Sequence, residues 1–167
     1  MSDGECSSAA LARRPLVADF PRVPLAHKLQ QLVDELAVLD DPQERLTLVI
    51  DRAKKIPALP PAERTDENRV RGCVSVVWLV CERREGRCYF RSDTESPVVR
   101  GLVALYCEFF SGHTSAEIIA SDADPLHGLD LVRHLSPTRR NGLASALARI
   151  REFARAASDG SPVAQSS

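Results

Sequence analysis

The sequence predicts an α+β domain: a small antiparallel sheet of two or three strands with helices over one face. Three observations predict it. Leucines recur along one helical face between Leu25 and Leu39. A β-branched and aromatic run, Val74 to Val80, is followed by the turn Arg84-Glu85-Gly86 and a returning run, Cys88 to Ser92. Ser96-Pro97 and Ser136-Pro137 each start a further helix, since serine caps a helix and proline fits its first position. An isolated hairpin is marginal in water, so the sheet needs helical cover.

Residues 1–23 read as a disordered or loosely held extension. Asp3, Glu5 and the break at Arg13-Arg14-Pro15 argue against a signal or transit peptide. Residues 24–157 form the domain, and residues 158–167, rich in serine, read as a disordered tail. Pro24 opens the first helix. Leu25, Leu29, Leu32, Leu36 and Leu39 share one face, with His27 and Lys28 toward solvent. Asp41 caps the second helix, Pro42 takes its first position and Glu44 closes a capping box. Leu46, Val49, Ile50 and Ala53 point inward, and the prolines from Pro57 to Pro61 end the helix.

A short strand at Arg69–Arg71 is possible, and the long strand follows Cys73 and runs to about Arg83, so Cys73 sits where a loop enters a strand. The helix from Pro97 carries Val98, Leu102, Leu105 and Phe109 on one face and closes at Ser111-Gly112. Thr114 and Glu117 form a capping box for a short helix. Asp122 to His134 reads as a helical connector. The last helix turns Leu143, Leu147, Ile150 and Ala154 to the core.

Composition narrows the function. The 167 residues are 44% hydrophobic and 27% charged, which suits one domain. The formal net charge is −1 with no basic block, so nucleic acid has no electrostatic foothold. The Val74–Val80 run is too short to span a bilayer. Five cysteines (Cys6, Cys73, Cys81, Cys88, Cys107) are odd in number and irregular in spacing. That speaks against a disulfide framework and for a reducing, cytoplasmic setting.

The residues that invite chemistry are Gly72-Cys73. Glycine permits a backbone that other residues resist and lets a second molecule approach the thiol. Four readings follow from the residues alone. A metal site lacks CxxC spacing and a nearby histidine set. A hydrolase would pair Cys73 with a histidine and an acid such as His134 and Asp93, but no local signature joins them. A thiol carrier needs one accessible cysteine, with Arg69 and Arg71 nearby to favour the anion. In a structural adaptor Cys73 is one more small hydrophobe. Composition and periodicity leave these open.

The run Asn68-x-Val70-x-Gly72-Cys73-x-Ser75-x-Val77-Trp78-Leu79 resembles the cysteine motif of SufE-type sulfur acceptors, the SufE/CsdE accessory proteins of bacterial cysteine desulfurases. Asp93-Thr94-Glu95 with Val98 to Leu102, Phe110-Ser111-Gly112, and Leu135-Ser136-Pro137-Thr138-Arg139-Arg140-Asn141-Gly142-Leu143 agree with that family in order and spacing. The resemblance covers about residues 30–155.

It implies a three-stranded antiparallel sheet with helices packed mainly on one side, similar to iron–sulfur scaffold proteins of the U type. It implies that Cys73, on an exposed loop with its sulfur toward an apolar pocket, accepts sulfane sulfur from the desulfurase persulfide and delivers it to an iron–sulfur assembly scaffold. Gly72, Ser75, Arg139 and Asp93 would support the site, Arg139 by anchoring the loop or docking the partner and Asp93 by holding a turn. Val77, Trp78 and Leu79 would be core, and Asn141 and Gly142 first-turn packing. The chain would hold no cofactor or metal, since pyridoxal phosphate belongs to the desulfurase, and would act as a monomer or homodimer rather than as a free-standing enzyme. A U-type iron–sulfur scaffold or a thiol-dependent enzyme is the alternative.

Overall fold

A computed structural model of the chain describes residues 23–159. The expected N-terminal extension, most of the tail, and Cys6 lie outside them. In chain order the elements are α1 (Leu25–Leu36), α2 (Pro42–Ala53), a 3₁₀ turn (Pro61–Glu63), β1 (Val77–Arg84), β2 (Arg87–Thr94), α3 (Pro97–Phe110), β3 (His113–Thr114), α4 (Ser115–Ala120), α5 (Pro125–Gly128) and α6 (Pro137–Ser158). The sheet has three strands in the order β1-β2-β3, antiparallel throughout.

The hairpin forms as the sequence predicts. Glu85 and Gly86 both take positive φ (50° and 76°), which makes a two-residue turn whose twist matches that of the strands. Opposed pairs then alternate between faces. Val77↔Thr94, Leu79↔Ser92 and Cys81↔Phe90 share one face, and Trp78↔Asp93, Val80↔Arg91 and Glu82↔Tyr89 share the other. The first face carries the fully buried Val77 and Leu79. On the second, the Arg91 guanidinium pairs with Glu63 and Glu82, and Arg64 lies over the Trp78 ring at 5.5 Å. Trp78 is therefore only half-buried: strand alternation turns it away from its core neighbours.

Two strand boundaries differ from expectation. The third strand is His113–Thr114, whereas Arg69 makes only an isolated bridge to Trp78. Gly112 (φ 83°) turns the chain after α3, so its N–H reaches the Cys88 carbonyl at 2.8 Å. β1 also starts at Val77, so Cys73 to Val76 belong to a loop.

Helix α3 is the centre of the core. Ten of its residues are buried, on nearly every side, because α2, β2, α5 and α6 all pack on it. The sequence pattern shows one face only. Gly101 sets the α2 approach: a Cβ there would stand 3.0 Å from the Ile50 Cα. Gly101→Val is expected to destabilise the fold by about 2 kcal/mol through overpacking, measured by urea unfolding.

The remaining differences are local. α1 ends at Leu36, and Leu39 packs on the core from the loop beyond. Asp41 caps α2 through the Gln43 N–H at 2.9 Å, without the reciprocal Glu44 contact. Lys28 is only partly solvated: its Nζ donates to the carbonyls of Glu108 and Phe109, both at 2.8 Å, and burial pushes its pKa down to about 8. A lysine is well placed there, at the negative end of α3. In the connector only Pro125–Gly128 is helical, started by the Asp124 cap. No helix among the described residues is long and apolar enough to cross a membrane.

Candidate functional site

The Cys73 loop is anchored at both ends. Val70 and Val77 are buried in the core, and the Val70 N–H donates to the Val77 carbonyl at 2.8 Å. The Leu79 N–H donates to the Asn68 carbonyl at 2.7 Å. Between these anchors the chain must reverse, and Gly72 supplies the positive φ (85°) that a side chain would resist. Val74, at the tip, is 83% exposed.

One stripe of α6 receives the loop. Gly142, Ser145 and Arg149 follow each other at helical spacing and so share a face. The Cys73 thiol donates to the Gly142 carbonyl at 3.2 Å. A Cβ on Gly142 would stand 2.7 Å from that sulfur, and one on Gly72 would stand 3.0 Å from the Ser145 hydroxyl. Arg149 donates to the Arg69 carbonyl at 2.8 Å and also to that of Glu67. The loop is thus held at its tip by a sulfur contact and at its root by a guanidinium.

Cys73 opens onto a groove of about 460 Å³. Buried Val99 and Leu143 form its apolar wall, and Ser136, Thr138 and Arg139 its polar rim. Burial pushes the Cys73 thiol up from its ordinary value. The Gly142 carbonyl acts in the same direction, because it accepts from S–H and repels a thiolate. The seated sulfur is a neutral, sheltered thiol.

Of the residues singled out in the sequence, Gly72, Cys73, Ser75 and Arg139 come together here. Asp93 does not line the groove. It is buried and pairs with Arg64 at 2.6 Å and Arg100 at 3.5 Å, while the Leu59 N–H donates to it at 3.1 Å. It ties the segment before the loop to the sheet. His134 is exposed and also lies off the groove, so no Cys73–His134–Asp93 arrangement is assembled. Arg71 is exposed, and Arg69 contributes its backbone carbonyl.

Sequence reasoning undervalued Gly142 and missed Ser145 and Arg149. Gly142 lies a turn beyond the helix start and directly beneath the cysteine. Its signal was present, since a glycine inside a helix costs about 1 kcal/mol relative to alanine and implies a close neighbour.

The family profile described as "SufE: Fe-S metabolism associated domain" matches residues 30–154, which contain the whole site. The chain belongs to the SufE family. SufE-like proteins of Rhizobium meliloti and Rhizobium etli are 39% and 40% identical to it, over 75% and 76% of this chain and 94% and 89% of theirs. A chloroplastic quinolinate synthase of Nicotiana tabacum is 29% identical over 74% of this chain but only 17% of its own length. The solution structure of a hypothetical protein from Thermus thermophilus has the same fold, with a TM-score of 0.65 and 22% identity over 80% of this chain and 97% of that one. The SufE family ties the chain to iron–sulfur metabolism.

Of the other described cysteines of this SufE-family chain, Cys88 and Cys107 are buried and Cys81 is partly buried. Burial pushes Cys107 up to about 12 and Cys81 up to about 11, and Cys88 is also raised. Arg149, besides holding the loop root, is a positive charge that pulls the Cys81 thiol down, against the larger effect of burial. Arg149→Ala is expected to speed iodoacetamide alkylation of Cys73 about fivefold, the effect of losing about 1 kcal/mol of loop closure. Mass spectrometry of the time course reads the rate.

Proposed function

We propose that this chain is a sulfur acceptor and activator of a cysteine desulfurase, with Cys73 as the acceptor. The Cys73 thiolate attacks the terminal sulfur of the desulfurase persulfide. A new sulfur–sulfur bond forms at Cys73, the one in the desulfurase breaks, and the desulfurase cysteine leaves as a thiolate. The sulfane sulfur then passes to an iron–sulfur assembly scaffold.

The observation that carries this reading is the seat of Cys73: a thiol on a doubly anchored loop, facing a partly apolar groove whose lining, among the described residues, has no histidine or carboxylate. A hydrolase needs a base within reach. A cluster scaffold needs several thiolates, and among the described residues the groove has one cysteine. A carrier needs one thiol, shelter for the persulfide and a face for the donor. Because the seated thiol is neutral, the partner must draw the loop off α6 before Cys73 attacks. Arg139, exposed at the rim, is where a displaced thiolate or persulfide finds a positive charge. The chain acts as a cytoplasmic carrier, as a monomer or homodimer, and the pyridoxal phosphate stays on the desulfurase.

Intact mass after mixing with a cysteine desulfurase and free cysteine, without reductant, tests the proposal. The wild type is expected to gain the mass of about one sulfur atom and Cys73→Ser none, with faster alanine production for the wild type only. An equal gain on both proteins would move the chemistry to another thiol. No gain on either, with an active desulfurase, would remove the acceptor reading.

A further inference from the structure

Of the chain's 22 lysines and arginines, three are lysines: Lys28, Lys54 and Lys55. Lys54 and Lys55 are exposed, and Lys54 pairs with Asp51 at 2.7 Å. Lys28 is placed differently. It extends from α1 to the C-terminal end of α3, where the last carbonyls of a helix have no partner within it. Its Nζ donates to two of them, Glu108 and Phe109, both at 2.8 Å, and stands 5.7 Å from the centre of the Phe109 ring. Lysine suits this position because one compact nitrogen reaches both carbonyls, whereas arginine spreads its donors over a planar fork.

An ammonium has three N–H groups, and this contact uses two of them. The third proton can leave without breaking either bond, and the lone pair it uncovers is directed away from both carbonyls. No carboxylate among the described residues forms an ion pair with Nζ to hold that proton. Burial pushes the group down to about 8, against the smaller opposing pull of the Glu108 charge. At pH 7.5 about a quarter of Lys28 is then the free amine, against about one in a thousand for an ordinary lysine. A desolvated, neutral lysine is an activated nucleophile.

We propose that Lys28 is an acylation site for small acyl phosphates, and that its acylation loosens α1 from α3. The Nζ lone pair attacks the acyl carbon. The new N–C bond forms as the C–O bond to phosphate breaks, phosphate leaves, and the proton that Nζ sheds passes to water. The resulting amide has no charge and one N–H, so it serves one carbonyl where the ammonium served two. The half-buried setting restricts the reaction to small donors. The site is separate from Cys73 and does not depend on its role.

The test treats the full chain with acetyl phosphate to low conversion, at a series of pH values from about 6.5 to 9.5. Peptide mass spectrometry follows Lys28, Lys54 and Lys55 separately. At pH 7.5 Lys28 is expected to acetylate at least tenfold faster than either of the others. Its rate is expected to level off above about pH 8 while theirs keep rising. In denaturing urea the three rates are expected to converge. Amide hydrogen exchange in α1 is expected to quicken about fivefold once Lys28 is acetylated. A Lys28 rate no higher than those of Lys54 and Lys55, or an advantage that persists in urea, would overturn the proposal. Unchanged exchange in α1 would overturn its second part.

Discussion

Gly142→Ala is expected to raise the alkylation rate of Cys73 at pH 7.5 by about tenfold or more. The added Cβ would lie 2.7 Å from the sulfur and 3.5 Å from the Cα and Cβ of Cys73. Real atoms do not approach that closely, and the loop is the part that gives. Helix α6 itself gains about 1 kcal/mol of propensity from the change, so the fold holds. The evicted thiol loses both influences that keep it neutral, its burial and the Gly142 carbonyl. The pH dependence has a definite sign. In the wild type the thiol is raised, so the rate midpoint lies above the ordinary thiol value of about 8.5, and in the variant it falls toward that value. The two rates therefore differ most below about pH 8.5 and converge above the wild-type midpoint. A variant rate equal to the wild type across that range would show that the seat does not control Cys73.

Asp93→Ala is expected to destabilise the domain by about 3 kcal/mol in urea unfolding. Its carboxylate is 3% exposed and serves Arg64, Arg100 and the Leu59 N–H at once. Removing it strands the N–H groups of Leu59 and Thr94 and two guanidiniums. The loss stays below that of a fully buried ion pair because Arg64 is 37% exposed and regains water. Asp93→Asn keeps an acceptor for a backbone donor and is expected to cost about half as much. Neither change is expected to alter the initial alkylation rate of folded Cys73, since Asp93 lies off the groove. A loss under about 1 kcal/mol, or a changed Cys73 rate, would contradict the structural role.

The parts of the fold that were legible in the sequence are those set by neighbours in the chain. Ser136 and Thr114 accept from the N–H three residues on, so the helix starts at Pro137 and Ser115 were readable. Gly86 and Gly112 marked turns that do take positive φ. The apolar face of α6, Leu143 to Ala154, is buried as its spacing requires. Cys73 and Arg139 were placed together through the family resemblance, on residues present in this chain.

The rest depends on contacts between distant segments. His113–Thr114 is a strand because β2 offers it an edge, which two residues of sequence do not announce. Trp78 faces outward and Lys28 inward because of what packs over each, an arginine on one and the end of α3 on the other. Asp93 looked like a turn residue and is the hub joining Leu59, Arg64 and Arg100. Sequence by itself determined that Cys73 follows a conformationally free glycine at the entry to a strand, and that helices would cover the hairpin. Only the tertiary structure decided where the sulfur rests. Its partner, the Gly142 carbonyl, is 69 residues away, and burial of Leu143, Leu147 and Ile150 is what turns the adjoining stripe of α6 toward the loop.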